Sequence, residues 1–140
     1  MSILQMLEAL IDKPIPPQAP PVLVWINGTL KKIEEGASEM HILVRKDMTN
    51  PLGLLHVQSM ILDEVIGMTV AAMEKPYPAV SINLSVDFIG KAKEGDTIVA
   101  KANVIRKGRQ IIQMRGEITL LDGTLVAIAT SNMLNLLPKN

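Results

Sequence analysis

Residues 57–73 constrain this chain more than any other stretch, because they are too apolar to lie anywhere but in a core. Val57, Met60, Ile61, Leu62, Val65, Ile66, Met68, Val70, Ala71, Ala72 and Met73 surround the axis of a helix, and a helix that is apolar all round is buried. A membrane-spanning helix needs roughly 20 apolar residues, whereas this run is shorter and contains Asp63 and Glu64. At about 100° per residue, Ser59, Asp63, Gly67 and Val70 share one side, so Asp63 is expected among small and apolar neighbours. An unpaired ionised carboxylate there costs several kcal/mol or stays protonated through a raised pKa. Asp63 is therefore either a functional acid or a residue held by a backbone amide, a basic partner or an exposed helix end. Glu64 points elsewhere and is expected to be the ordinary solvated or interface residue of the two.

The rest of the chain reads as strands. Val80, Ile82, Leu84, Val86 and Phe88 alternate with Ser81, Asn83, Ser85 and Asp87, the period of a strand with one buried face. Residues 97–106, 110–121 and 124–136 give three more, with turns at 107–109 and at Asp122-Gly123, a strong hairpin signal. Upstream, residues 28–46 read as two strands joined near Glu34, Glu35 and Gly36, with Met40, Ile42 and Val44 inward. A loop with Asn50, Pro51 and Gly53 leads into the helix, and a proline break at Pro76 to Pro78 follows it. Consecutive hairpins would make the last four strands antiparallel, with the helix covering one face of the sheet. Ser2 and Gln5 form a capping-box pattern ahead of Ile3, Met6, Leu7, Leu10 and Ile11, which predicts a short amphipathic helix. Pro14, Pro16, Pro17, Pro20 and Pro21 then predict an extended connector, read as a plain linker before a PxxP ligand. The organisation is an α+β chain: residues 1–21 as helix and Pro-rich linker, residues 22–140 as one domain.

With 140 residues, 48% of them hydrophobic, one core suffices. Acidic and basic residues number 14 each, so no electrostatic footprint for nucleic acid or an anionic membrane appears. Only 2% of residues are aromatic, against a base-stacking platform. The lack of cysteine excludes disulfides and thiolate nucleophiles and fits a reducing compartment, with the cytoplasm as default; residues 1–13 do not read as a secretory signal. With two histidines and no HxxxH or HxH spacing, no metal site is expected. There is no GxSxG elbow, phosphate-binding glycine loop or GxGxxG. His41 is assigned no chemistry. His56, just before the helix, either donates to a substrate or pins its loop, and taken alone the structural role is preferred. Low net charge with an apolar core suggests an oligomer.

The run Asn50-Pro51-Leu52-Gly53-Leu54-Leu55-His56, leading into Ile61-Leu62-Asp63-Glu64-Val65-Ile66-Gly67, resembles the hot-dog-fold acyl-CoA thioesterases of the PaaI-like type. Ala79-Val80-Ser81-Ile82, Phe88-Ile89-Gly90-Lys91-Ala92, Glu94-Gly95-Asp96, Lys107-Gly108-Arg109 and Asp122-Gly123-Thr124-Leu125-Val126-Ala127 resemble that family's later strands in order, so the likeness covers residues 28–136. It implies a curved antiparallel sheet wrapped around one long helix. It also implies dimers joined sheet edge to sheet edge, often paired into tetramers, with acyl-CoA at the subunit interface and no cofactor beyond the coenzyme A of the substrate. Carried over by position, Asp63 is the general base or nucleophile, Asn50 and His56 orient the thioester or water, and Ser81 helps hold the water. The helix start, near Gly53 and Val57, is the oxyanion site. Lys91, Lys93, Arg106, Lys107 and Arg109 stand near strand ends where coenzyme A phosphates could be met, and of these Arg109 is the CoA-binding candidate.

In one place the pattern departs. After the histidine these thioesterases usually carry two glycines and reach the aspartate nine positions on, whereas here Val57 follows His56 and Asp63 comes seven positions on. The glycines let a thioester oxygen approach the unpaired N–H groups of the helix start, and a Cβ obstructs that approach. Either the chain lacks them, or residues between His56 and Val57 are missing from the sequence as written; the omission is the expectation by a small margin. The reaction implied is hydrolysis of an acyl-CoA thioester. The alternative is a non-catalytic acyl-CoA or lipid-binding hot-dog module that lost turnover with the glycines. A hot-dog dehydratase pattern is not found.

Overall fold

The computed structural model describes residues 1–74 and 78–136. The proline break after the long helix lies partly outside them. The elements run α1 (Ile3–Glu8), α2 (Pro21–Ile26), β1 (Thr29–Glu34), β2 (Ala37–Leu43), a 3-10 turn at Lys46–Met48, α3 (Gln58–Ala72), β3 (Ala79–Phe88), β4 (Thr97–Lys107), β5 (Ile111–Leu120) and β6 (Leu125–Asn135).

The six strands form one antiparallel sheet in the order β1-β2-β4-β5-β6-β3, with α3 packed across it. This is the α+β hot-dog arrangement that the resemblance implies. The strand order corrects one expectation: β3 and β4 do not form a hairpin. β3 instead pairs with β6, Val80 opposite Leu134 and Phe88 opposite Ala127, while β4 inserts between β2 and β5. Local turn signals predict hairpins between neighbours in sequence. They carry no information on a strand that crosses over the helix before pairing.

Position in the sheet decides burial. Met40, Ile42 and Val44 point inward as expected. β3, at a free edge, buries its apolar set only in part: Leu84 and Val86 pack against the core, whereas Val80 is 46% exposed, Ile82 53% and Phe88 63%, and the register shifts between Ser81 and Asn83. Alternation marks which residues share a face, and an edge strand of one protomer has too little above that face to cover it.

The helix also departs from the all-round burial expected of it. Gln58, Ile61, Leu62, Val65, Ile66, Thr69, Val70 and Ala72 are buried, but Ser59, Asp63 and Ala71 are exposed and Gly67 is half-buried. Those four residues lie four apart and form one open stripe. The sheet side is close-packed: a Cβ on Gly116 of β5 would come 3.1 Å from both Leu62 Cδ2 and Ile66 Cδ1. Thr69 Oγ1 donates back to Val65 O (2.7 Å) and lies 2.6 Å from Ser38 Oγ, so the buried hydroxyls are satisfied.

At the amino-terminal end, the Ser2–Gln5 capping box forms in both directions, at 3.1 and 2.9 Å. The proline run is not extended throughout. Pro20 is the N-cap and Pro21 the first residue of α2, where a missing N–H costs nothing and the fixed φ suits the helix. α2 ends at Asn27 in the left-handed region, φ 54°, and its last carbonyls are taken by Arg45: Nη1 donates to Ile26 O (3.0 Å) and Nη2 to Trp25 O (2.6 Å).

Candidate active site

The loop before α3 is built on itself. Asn50 Oδ1 accepts from Leu52 N–H (2.9 Å) and Leu54 N–H (3.1 Å), and its backbone pairs with Leu54 and Gly53. Gly53 stands at φ 75°, which favours glycine. Leu54 bridges to Lys93, Leu55 N–H donates to Ala92 O (2.8 Å), and His56 N–H donates to Met48 O (2.8 Å). The loop is thereby tied at both ends, and it delivers His56 with its ring exposed and without a side-chain hydrogen bond among the described residues. Asn50 thus already braces the turn through its oxygen, which leaves only its amide nitrogen for an outside group.

No residues are missing between His56 and Val57; the full sequence has the two adjacent, so the shortening belongs to this chain. Val57 is the N-cap of α3, with φ −92° and ψ 33°, and no side chain caps the helix. Ile61 N–H reaches Val57 O (3.1 Å), but the N–H groups of Gln58, Ser59 and Met60 have no acceptor among the described residues. Three free donors at the positive end of a 15-residue helix are suited to developing negative charge. Gln58 is buried; its Nε2 donates to Leu55 O (3.2 Å), while Oε1 has no partner.

Asp63 corrects the expectation of an acid enclosed by apolar neighbours. It lies on the open stripe of α3, one turn beyond Ser59, and is exposed in the protomer. Four residues of helix rise about 6 Å, so Asp63 stands one turn along the open stripe from the free amides. The carboxyl that burial affects is Glu64, whose pKa is raised, first by desolvation and then by the charge of Asp63. Folding therefore favours protonated Glu64, and its contribution to stability falls as pH rises above 4.5 through the raised value. Glu64→Gln should raise the melting temperature relative to wild type more at pH 7 than at pH 4. An equal difference at both would contradict the half-buried placement.

The remaining candidates stand elsewhere. Ser81 Oγ donates to Asn83 O (3.2 Å) and lies 3.4 Å from Ser131 Oγ. Arg109 lies in the β4–β5 turn, where its carbonyl accepts from Asn135 Nδ2 (2.9 Å). Lys107, beside it, donates to Glu74 O just past the C-terminal end of α3 (2.5 Å) and lies 3.6 Å from Glu35, so it is already engaged. Ser81, paired with Met133, and Arg109 therefore mark the C-terminal end of α3. Asn50, Gly53, His56 and Val57 mark the other end, a helix length of about 22 Å away. Within one protomer the candidates form two groups, not one. Sequence reading missed a third feature: Trp25 and Met60 lining a groove at the helix start. The single tryptophan beside Pro20-Pro21 was a usable signal for it.

Among the described residues no helix is long and apolar enough to cross a membrane, and no group of three or more His, Asp or Glu could hold a metal ion.

Comparison with known proteins agrees with this architecture. Human acyl-coenzyme A thioesterase 13 is 27% identical over 85 residues, covering 59% of this chain and 61% of the relative, so the match spans less than two thirds of that relative. Among solved structures, a phenylacetic acid degradation-related protein of Ralstonia eutropha is 26% identical with a TM-score of 0.79, covering 96% of this chain and 99% of that one. A hypothetical thioesterase of Streptococcus pneumoniae, crystallised with coenzyme A, is 22% identical with a TM-score of 0.73, covering 81% of this chain and 92% of that one. The family model described as thioesterase superfamily matches residues 57–127, from the helix N-cap through the first residues of β6 and just over half of the chain, and the chain belongs to that superfamily.

Proposed function

We propose that this protein hydrolyses acyl-CoA thioesters, with Asp63 as general base or nucleophile and the amides at the start of α3 as the oxyanion site. The observation that carries the reading is the open stripe itself: an exposed carboxylate one turn from three unpaired helix N–H groups. Thioester hydrolysis needs either a nucleophile that attacks the carbonyl carbon or a base that takes a proton from an attacking water, with donors for the carbonyl oxygen and the thiolate of coenzyme A as leaving group; it needs no metal. The thioesterase crystallised with coenzyme A and the human acyl-coenzyme A thioesterase support coenzyme A as the leaving group.

A second copy completes the arrangement. β3 is an unpaired edge bearing exposed Val80, Ile82 and Phe88, and it runs from the C-terminal end of α3 back to its N-terminal end. Two such edges joined antiparallel bring the Ser81 and Arg109 end of one copy to the His56 and Val57 end of the other. Both halves of the site then meet at the interface, with Arg109 set to meet a phosphate and Ser81 to meet water. Val80→Lys combined with Ile82→Lys should shift the protein to a monomer and lower kcat/KM by about tenfold or more; light scattering and CoA release check both. A lysine variant that is monomeric with full activity would refute the shared site.

The direct test is release of free CoA by wild type, Asp63→Asn and Glu64→Gln. Loss in Asp63→Asn alone supports the assignment, whereas loss in Glu64→Gln alone moves the base to Glu64. Tight acyl-CoA binding without release by wild type selects the non-catalytic module.

A further inference from the structure

Beside the first turn of α3 lies a groove of about 390 Å³ between α2 and α3, lined by Pro21, Val22, Trp25, Asp47, Val57 and Met60. Its size falls within the range of about 300–1,000 Å³ seen for small-molecule sites. Two of its walls, Val57 and Met60, belong to the helix start whose Gln58, Ser59 and Met60 amides are unpaired. A carbonyl held by those amides thus has its substituents at the mouth of the groove.

The walls decide which substituent enters. The only charged lining residue, Asp47, is paired with Arg45, Nε to Oδ1 at 3.1 Å. Arg45 also donates to Trp25 O and Ile26 O, and its guanidinium lies 5.1 Å from the centroid of the Trp25 ring. The cation is therefore consumed in fixing Trp25 as a rigid wall and is not free for a ligand anion. Phosphates of coenzyme A find no cation here and face a carboxylate instead. The acyl chain is the apolar part of the substrate that is bonded directly to the carbonyl held by those amides.

We infer that the Trp25 groove is the acyl pocket of this protein and that it selects uncharged aliphatic or aromatic acyl groups over those ending in a carboxylate. This rests on the acyl-CoA reading of the site. It also gives α2, and the Pro20-Pro21 start that forms it, a role in specificity.

Trp25 is the only tryptophan in the chain and is 37% exposed, so its emission reports on the groove alone and responds to being covered. The experiment titrates the full chain with non-hydrolysable CoA thioethers bearing ethyl, hexyl, decyl and carboxyhexyl groups, following Trp25 emission. The hexyl and decyl compounds should shift it to the blue and bind at least about tenfold more tightly than the ethyl and carboxyhexyl ones. Val22→Arg should abolish that gain while leaving ethyl-thioether binding within about twofold. Hydrolysis of acyl-CoA with no emission response to bound decyl thioether overturns the groove and leaves the catalytic reading standing. A chain-length-dependent response without hydrolysis keeps the groove and removes the catalytic reading, and failure to bind any thioether overturns both.

Discussion

Asp63→Asn is expected to lower kcat on a good acyl-CoA substrate by about 10²–10⁴-fold, with little change in KM or melting temperature. The range corresponds to about 3–5 kcal/mol of lost transition-state stabilisation. Asparagine keeps the shape and a hydrogen-bonding oxygen but can neither take a proton from water nor attack the carbonyl as an anion. Because Asp63 is exposed on the open stripe and makes no ion pair among the described residues, its replacement breaks no ion pair of the folded protomer and relieves its repulsion of Glu64. A loss of activity would therefore be chemical in origin. Glu64→Gln, on the next helix position, is the matched control, since it removes a carboxylate that burial already disfavours.

The largest effect on stability is expected one residue earlier, at Leu62. Its side chain is fully buried and seats its Cδ2 over Gly116 of β5, where no Cβ intervenes. Leu62→Ala removes that packing and leaves a cavity, at a cost of about 2–5 kcal/mol. Against a total stability of about 5–15 kcal/mol, this should lower the melting temperature by on the order of 10 °C. Gly116→Ala alone should also destabilise, because its Cβ would crowd Leu62 and Ile66. Combined with Leu62→Ala it should cost less than the sum, since the added methyl enters the vacated space. Denaturant unfolding of the four proteins measures this. A Leu62→Ala cost below about 1 kcal/mol would mean that α3 is not seated on the sheet as described.

The neighbours Leu62, Asp63 and Glu64 also show what the sequence could and could not reveal. That 57–73 is a helix against a sheet follows from its composition, and the ordered short motifs pointed to the hot-dog arrangement. Which sector of that helix stays open did not follow, because Met60, Gly67, Met68 and Ala71 are apolar or small and read like core residues. They line or flank the open stripe instead. Hydropathy cannot separate a surface covered by the chain's own sheet from one left open. The same ambiguity hid the exposure of Val80, Ile82 and Phe88, whose alternation is that of any half-buried strand. Strand order was illegible for a different reason: β3 meets β6 across the chain through main-chain hydrogen bonds, which have no residue signature.

The candidate site was legible as residue types but not as one place. Asn50, Gly53, His56 and Val57 are contiguous in sequence and in space. Ser81 and Arg109 lie at the other end of α3 in the protomer, and only the proposed pairing of two copies would join them. The short spacing after His56 is visible in the sequence, but the expected omission is wrong: the step belongs to the chain, and its structural outcome is a helix start with Val57 at the cap and its first amides still unpaired.

The central claim, that the open stripe of α3 hydrolyses acyl-CoA, is tested most directly by free-CoA release from a panel of acyl-CoA thioesters. Wild type and Asp63→Asn should be measured side by side at matched concentration. Wild type should turn over uncharged acyl groups, and the variant should lose about 10²-fold or more. Equal turnover by the two proteins, or none by wild type on any member of the panel, would contradict it.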